Sequence, residues 1–249
     1  MGLIRWGMVV LATLSVALIA TVWFLPASLI WRLIEPNLSL DQDVRVALPR
    51  GSWRQGHMLV QFRGFPPSRV SWQADWPSFI DDSLALTQTV SLAGSGHQIT
   101  GTLQLLLNQK AVLIEQLSGE VRSSDINQLA GAYGHHFSGL VTLKNGYVTI
   151  SAQCVNALAG DLSWSGGPVS LNGFNGVAHY QLPPLQANLD LENCSPALNL
   201  TRDGAPLARL VLGLDGWFRA QLQPRLLILA QVPGAAQLTD PLLFEEKIL

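Results

Sequence analysis

Residues 84–92 run Leu84-Ala85-Leu86-Thr87-Gln88-Thr89-Val90-Ser91-Leu92. In an extended chain successive side chains point to opposite faces, so Leu84, Leu86, Val90 and Leu92 share one side, and Thr87, Thr89 and Ser91 share the other. That pattern belongs to a strand with one buried and one wet face, the habit of antiparallel sheets. It recurs downstream: Leu185, Ala187, Leu189 and Leu191 alternate with Gln186, Asn188 and Asp190, and Leu210, Leu212 and Leu214 repeat it.

The residues between such runs are turn formers. Asn145-Gly146 stands inside 140–153 between two alternating segments, the dipeptide that suits a type I′ hairpin because both positions tolerate positive φ. Asp203-Gly204 and Asp215-Gly216 divide the last strands in the same manner, and Asn172-Gly173 and Asn175-Gly176 supply further bends. We expect about twelve strands over 43–231, arranged as a curved antiparallel open roll or sandwich. One soluble helix is expected over 125–133, capped by Ser123 or Ser124, and a second short one from Pro77-Ser78. The tail over 233–249 reads as loose or briefly helical.

Upstream of the strands, Arg5 and Arg32 enclose 26 uncharged residues. A helix of that length crosses the ~30 Å apolar layer of a bilayer with some tilt. Trp6 lies at one end and Trp23 and Trp31 at the other, where indoles settle at headgroup level. A cleaved signal peptide is the competing reading. It is disfavoured by the length of the run, by Trp23-Phe24 near its end and by the lack of a small-x-small site. The organisation expected is therefore a cytoplasmic tail over 1–5, an anchor over 6–31, a linker over 32–42, an exported β domain over 43–232 and the tail over 233–249. Arg5 on the short side, against Glu35, Asp41 and Asp43 beyond the run, favours a cytoplasmic N-terminus.

Composition fits this division. Charged residues make up 13% of the 249, about half the usual share, and 48% are hydrophobic; the mean hydropathy is +0.27. Fifteen Lys+Arg balance 17 Asp+Glu, which leaves no basic footprint for nucleic acid. Cys154 and Cys194 can form one disulfide in an oxidising compartment, or remain as two buried thiols.

A search for chemistry finds little. His135-His136 is the one histidine cluster, and no carboxylate or cysteine at ligand spacing completes a metal site. No nucleophile elbow, phosphate loop or dinucleotide fingerprint occurs. Asp81-Asp82 and Glu245-Glu246 read as solvated charge. Neither an enzyme nor a cofactor protein is expected. Of the eight tryptophans, Trp53, Trp72, Trp76, Trp164 and Trp217 lie beyond the anchor, available to pack the core or to face a partner.

The order of these features resembles the type II secretion system protein N family, also called general secretion pathway protein N. The anchor ends near Leu25-Pro26 and is followed by Gly51-Ser52-Trp53-Arg54-Gln55-Gly56. Next come Val70-Ser71-Trp72, then Ala159-Gly160-Asp161-Leu162-Ser163-Trp164, Leu182-Pro183-Pro184-Leu185, and finally Asp215-Gly216-Trp217. The resemblance implies an accessory inner-membrane subunit of the export machinery of a Gram-negative bacterium. It would be single-pass, with its bulk in the periplasm, and other inner-membrane subunits would be its partners. It also implies a curved sheet similar to the AsmA-like group. Two functions follow as expectations: a scaffold that binds a partner strand at a sheet edge or packs its anchor against other anchors, or a groove that holds lipid or another hydrophobe.

Overall fold

A computed structural model describes residues 24–37, 44–62, 64–80, 83–106, 111–151, 154–173, 176–213 and 215–247. Its strands are β1 (Val44–Val46), β2 (Arg50–Gly51), β3 (Gln55–Phe62), β4 (Ser68–Ala74), β5 (Ser78–Ile80), β6 (Ser83–Ala93), β7 (His97–Leu106), β8 (Ala111–Arg122) and β9 (His136–Phe137). They continue as β10 (Leu140–Ser151), β11 (Cys154–Trp164), β12 (Gly167–Gly173), β13 (Gly176–Leu182), β14 (Leu185–Glu192), β15 (Ser195–Arg202), β16 (Ala205–Leu212), β17 (Trp217–Leu222) and β18 (Leu242–Lys247). Among the described residues three short α-helices accompany them: α1 (Ala27–Ile34), α2 (Ser123–Ala130) and α3 (Pro224–Leu229).

Fifteen strands form one antiparallel sheet in the order β1-β3-β4-β6-β7-β8-β10-β11-β14-β15-β16-β17-β18, with β2 beside β3 and β5 beside β6. The order follows the chain almost without crossing, as short hairpin connections require. The remaining strands make a small sheet, β13-β12-β9. The sheet is open; it does not fold into a sandwich.

Register explains why the alternation matters. The row Val70–Leu92–Ile99–Gly119–Leu143–Leu162–Ala187–Leu200 crosses eight neighbouring strands on one face. The next row on that face runs Val121–Val141–Trp164–Leu185. A slip of one residue in any strand would turn its apolar set to the wet side, so burial fixes the register. Yet this face is thinly covered. Among the described residues Leu207 is the one large apolar side chain less than 2% exposed, and most of the fully buried set is alanine. Two pieces cover parts of the apolar face: α1 at its N-terminal end, and α2 with the small sheet at its centre. α3 lies against β16.

Several expectations need correction. Asn145-Gly146 does not turn the chain. β10 runs through it for twelve residues, and the pair forms a bulge where the registers to β8 and β11 both shift. Asn145 does take positive φ, +53°, and Gln116 on the neighbouring strand takes the same value. The dipeptide's tolerance of that conformation bends a long strand instead of closing a hairpin. Pro77-Ser78 starts no helix; Ser78 opens β5. The expected helix begins earlier, at Ser123, runs as α-helix to Ala130 and continues as a 3₁₀ turn to Tyr133, the expected end. Its N-cap position is Arg122, with no side-chain cap, in place of the expected Ser123 or Ser124. The tail is not loose at its end, since β18 pairs with β17 from Leu222↔Leu242 to Trp217↔Lys247. Strands outnumber the expectation because β1, β2, β5 and β9 have two or three residues each, too few for alternation to mark them.

Asp203-Gly204 holds as a turn, with φ of +52° and +75°. Asp215-Gly216 joins β16 to β17. Asn172-Gly173 ends β12, and residue 175 lies outside the described residues. The β14–β15 turn is Asn193-Cys194, at φ +49° and +66°; Asn193 suits that conformation, and Cys194 stands where a glycine would be expected.

Candidate functional site

The positions singled out by sequence fall at separate stations along the sheet. At the first, the chain enters beside β2: Pro26 bridges to Ser52, and the Trp53 N–H donates to Leu25 O at 3.2 Å. The Trp72 indole N–H donates to Ser52 O at 3.1 Å. Gly56 lies beneath that ring, where a Cβ would come within 2.5 Å of it. Gly51, at φ +96°, pairs with Gly56 across β2 and β3. α1 rests over them, and Ile30, Trp31, Trp53, Met58, Trp72 and Leu103 are among the residues lining an open, largely apolar pocket of 400 Å³. Trp31 thus turns toward the sheet. Phe24, Leu29 and Leu33 on the same stretch are 74%, 46% and 74% exposed.

The second station repeats the device. The Trp164 indole N–H donates to Ser138 O at 2.8 Å, and Gly139, at φ +93°, lies against the indole nitrogen. Phe137, Val169 and Leu182 close over Leu162, Trp164 and Leu185 around a cavity of 340 Å³. Gly166 packs on Pro183 and Pro184, which lead into β14. Gly160 sits on β11 against Gly146, at the bulge.

The third station is the loop before β17. The Asp215 carboxylate accepts from the Trp217 N–H at 3.1 Å and from Arg219 at 3.0 Å. The Trp217 amide, and after it Arg219, hold this carboxyl below the usual range. Trp217 is 38% exposed, and Trp76 is 70% exposed with the Arg54 guanidinium 5.6 Å from its ring centre. The motif residues therefore shape turns and hold indoles in place; they do not converge on one cleft. Trp6 and Trp23 lie outside the described residues.

Cys154 and Cys194 are joined, with Cα atoms 5.4 Å apart. The ladder between β11 and β14 stops at Gly160↔Leu189. The disulfide ties the two strands beyond that point, where no further register pair does so among the described residues.

One constellation escaped the sequence search. Ser68 Oγ lies 2.8 Å from His97 Nε2, and His97 Nδ1 lies 2.6 Å from Asp125 Oδ2. Asp125 also accepts from the Gly96 N–H and from the Ser95 and Ser124 hydroxyls. Burial pushes the Asp125 carboxyl up; the bond to His97, the Gly96 amide and the two hydroxyls together outweigh that and hold it below the ordinary carboxylate value. The order of atoms is that of a serine hydrolase relay. The setting is different: Ser68, His97 and Asp125 are 5%, 5% and 1% exposed, Ser68 Oγ is also 3.1 Å from Pro66 O, and Phe65 stacks 5.0 Å from the imidazole. A nucleophile must reach its substrate, and this hydroxyl is sealed. The trio ties the start of β4, the β6–β7 hairpin and α2 together. Its members are 28 to 57 positions apart in sequence, so no local motif could reveal them; a lone His beside Gly94-Ser95-Gly96 was the single hint.

His135 and His136 do not form a site either: His135 Nδ1 accepts from the Asn172 N–H, and His136 opens β9. Asp81-Asp82 lies outside the described residues, and Glu245-Glu246 belongs to β18.

That strand completes the inventory of surfaces. All six residues of β18 are exposed, Leu243 at 79% and Phe244 at 48%, and its outer edge is the end of the sheet among the described residues. No helix of the described residues is long and apolar enough to cross a membrane.

A family model, type II secretion system protein N, matches residues 42–240. No curated protein and no solved structure matches the chain.

Proposed function

Because the chain belongs to the type II secretion system protein N family, we propose that it serves that machinery as a scaffold. In this reading the uncharged run that begins at residue 6 holds it in the inner membrane with the N-terminus cytoplasmic. The last residues of that run, from Leu25 on, lie against β2 and β3 instead, and the β domain stands in the periplasm. It works by contact with other inner-membrane subunits of the machine. The observation that carries the proposal is β18: the end strand of the sheet among the described residues, exposed throughout and with three consecutive large apolar residues, Leu242, Leu243 and Phe244. Soluble proteins usually blunt such an edge. Here its second half carries Glu245-Glu246-Lys247 and its first half carries nothing protective, which suits addition of a partner strand.

The test is recovery of the protein from native membranes under mild crosslinking, alongside a deletion strain. The scaffold reading expects co-purifying secretion subunits and impaired export. Recovery of none of them, together with unchanged export, rejects it.

A second reading, the hydrophobe-binding groove, draws on the half-exposed apolar face between the two covered stations. Extraction of the gently purified protein followed by mass spectrometry decides it: a stoichiometric apolar ligand supports the groove, and its absence counts against it.

A further inference from the structure

On the other face of the sheet the N-terminal end gathers arginines without acids. On β1 to β4 the outward positions include Arg45, Arg50, His57 and Arg69. Register sets Arg50 opposite His57, and Leu59 opposite Arg69. No Asp or Glu occurs between Asp43 and Asp75. Along the row Arg69–Ala93–Gln98–Glu120 the first carboxylate comes three strands away, about 14 Å. Among the described residues Arg45, Arg50 and Arg69 take part in no ion pair, as is also so of Arg122 and Lys144 farther along this face, whereas Arg202, Arg209 and Arg219 all do. What sets the N-terminal wall apart is that it gathers three arginines with no acid near them among the described residues.

Two open cavities of 540 Å³ each adjoin on this wall and share Arg50 and His57. One is apolar on its far side, with Leu48 and Leu59, and has Arg69 at its margin. The other is lined by Ser71, Gln73, Thr89 and Ser91. Leu48 and Leu59 are 54% and 50% exposed. The wall thus presents three chemistries in succession: hydrocarbon, guanidinium, then hydroxyl and amide.

The geometry points to a binding site for one anionic phospholipid. Its phosphate meets Arg50, Arg69 and His57, the upper acyl chain covers Leu48 and Leu59, and a hydroxylated headgroup meets Ser71, Thr89 and Ser91. Arginine suits the phosphate because its planar fork engages two oxygens at once. A free phosphate would use the arginines and leave the leucines wet. An acidic peptide would have no use for an apolar compartment joined to a hydroxyl-lined one. The wall also lies close behind the uncharged run that ends at Arg32, in the part of the chain expected nearest a bilayer. The site is on the face opposite the apolar groove and stands independently of the secretion reading.

The experiment uses the full chain in dodecyl maltoside micelles, titrated with dioleoylphosphatidylglycerol or dioleoylphosphatidylcholine and read by native mass spectrometry. The expected result is preferential retention of the glycerol lipid, weakened by salt. It falls by at least about tenfold in the R50Q/R69Q double variant. R50K/R69K retains most of the preference. All of these side chains are outside the core, and an unchanged melting temperature certifies each variant. Equal retention of the two lipids, or an undiminished preference in R50Q/R69Q, overturns the site. Two further arms use glycerol phosphate and poly-glutamate as competitors. Displacement of the lipid by glycerol phosphate at equal concentration reassigns the wall to a free anion, and stronger displacement by poly-glutamate reassigns it to an acidic protein; either outcome overturns the proposal.

Discussion

In the C-terminal wall every arginine on the polar face of a strand has an acid: Arg209 lies 3.0 Å from Glu192 and 3.5 Å from Asp190, and Arg219 lies 3.0 Å from Asp215 and 3.4 Å from Glu245. In the N-terminal wall Arg45, Arg50 and Arg69 face none among the described residues. The apolar faces of the two walls are alike. The same leucine and valine rows run through both, and each has a tryptophan held by its indole N–H. Folding constrains the apolar face in the same way at both ends, since any slip exposes it. The polar face is free to differ, and the two walls differ there in how their arginines are paired. The two walls also differ in how they are fastened. The C-terminal half is joined to the rest by a covalent bridge at the start of β11, and the N-terminal half by the buried Ser68–His97–Asp125 trio.

The largest test of that contrast is to cut the bridge. Replacing Cys154 and Cys194 with serine should cost up to about 4 kcal/mol by the chain-entropy model for a 40-residue separation, read as a melting temperature lower by about 10 °C. The loss should concentrate in hydrogen exchange of β14 to β18. Uniform loosening would mean that the two halves are not separately fastened.

Removing the other fastening comes next. Asp125→Ala leaves His97 and the Gly96 amide buried without their acceptor, a cost of about 3 kcal/mol, with increased exchange in β4, the β6–β7 hairpin and α2. The sign of the pH dependence follows from the lowered carboxyl. Its contribution is complete above the ordinary value of 3.8 and is lost as pH falls from there through the lower folded value. Acid unfolding curves of the wild type and of Asp125→Asn should therefore converge on acidification below pH 3.8. Curves that remain parallel would show that this carboxylate contributes nothing.

A smaller effect is expected at the bulge between the walls. Gly146→Val brings a Cβ to within 2.7 Å of the Leu117 Cβ and 2.8 Å of its carbonyl oxygen. The cost, about 1–3 kcal/mol, is crowding and not a forbidden φ, since the left-handed residue there is Asn145. Asn145→Val should be destabilising for that second reason. A neutral melting temperature in both would remove the bulge as a fixed feature. The smallest effect separates the charges themselves: Arg209→Gln should lose no more than about 1 kcal/mol, its partners being about half exposed, and Arg50→Gln should lose nothing measurable. Equal losses in denaturant titrations would erase the distinction.

What could be inferred before the structure was the part that repeats every two residues. The strands β6, β14 and β16 are written in their leucines, and Asp203-Gly204 turns as its chemistry demands. Asn145-Gly146 misled because positive φ serves a bulge as well as a hairpin, and the choice depends on partner strands. β18 was missed because Leu242-Leu243-Phe244-Glu245-Glu246-Lys247 has no alternation; its place is set by pairing with β17. The family positions Gly56, Trp72 and Trp164 were visible as landmarks, but their roles needed the third dimension: a glycine beneath a ring and a carbonyl for each indole. The buried trio was out of reach because Ser68, His97 and Asp125 meet through tertiary packing of three distant segments.

The central claim is that this chain acts by contact within the secretion machinery, through the edge that β18 leaves open. It is tested most directly by placing a photo-reactive phenylalanine analogue at Leu243 and irradiating intact cells. The account predicts a defined crosslink to another secretion subunit, lost when β18 is displaced by Phe244→Pro. Irradiation that yields no adduct with any secretion subunit, in cells where the protein is present and export proceeds, contradicts it.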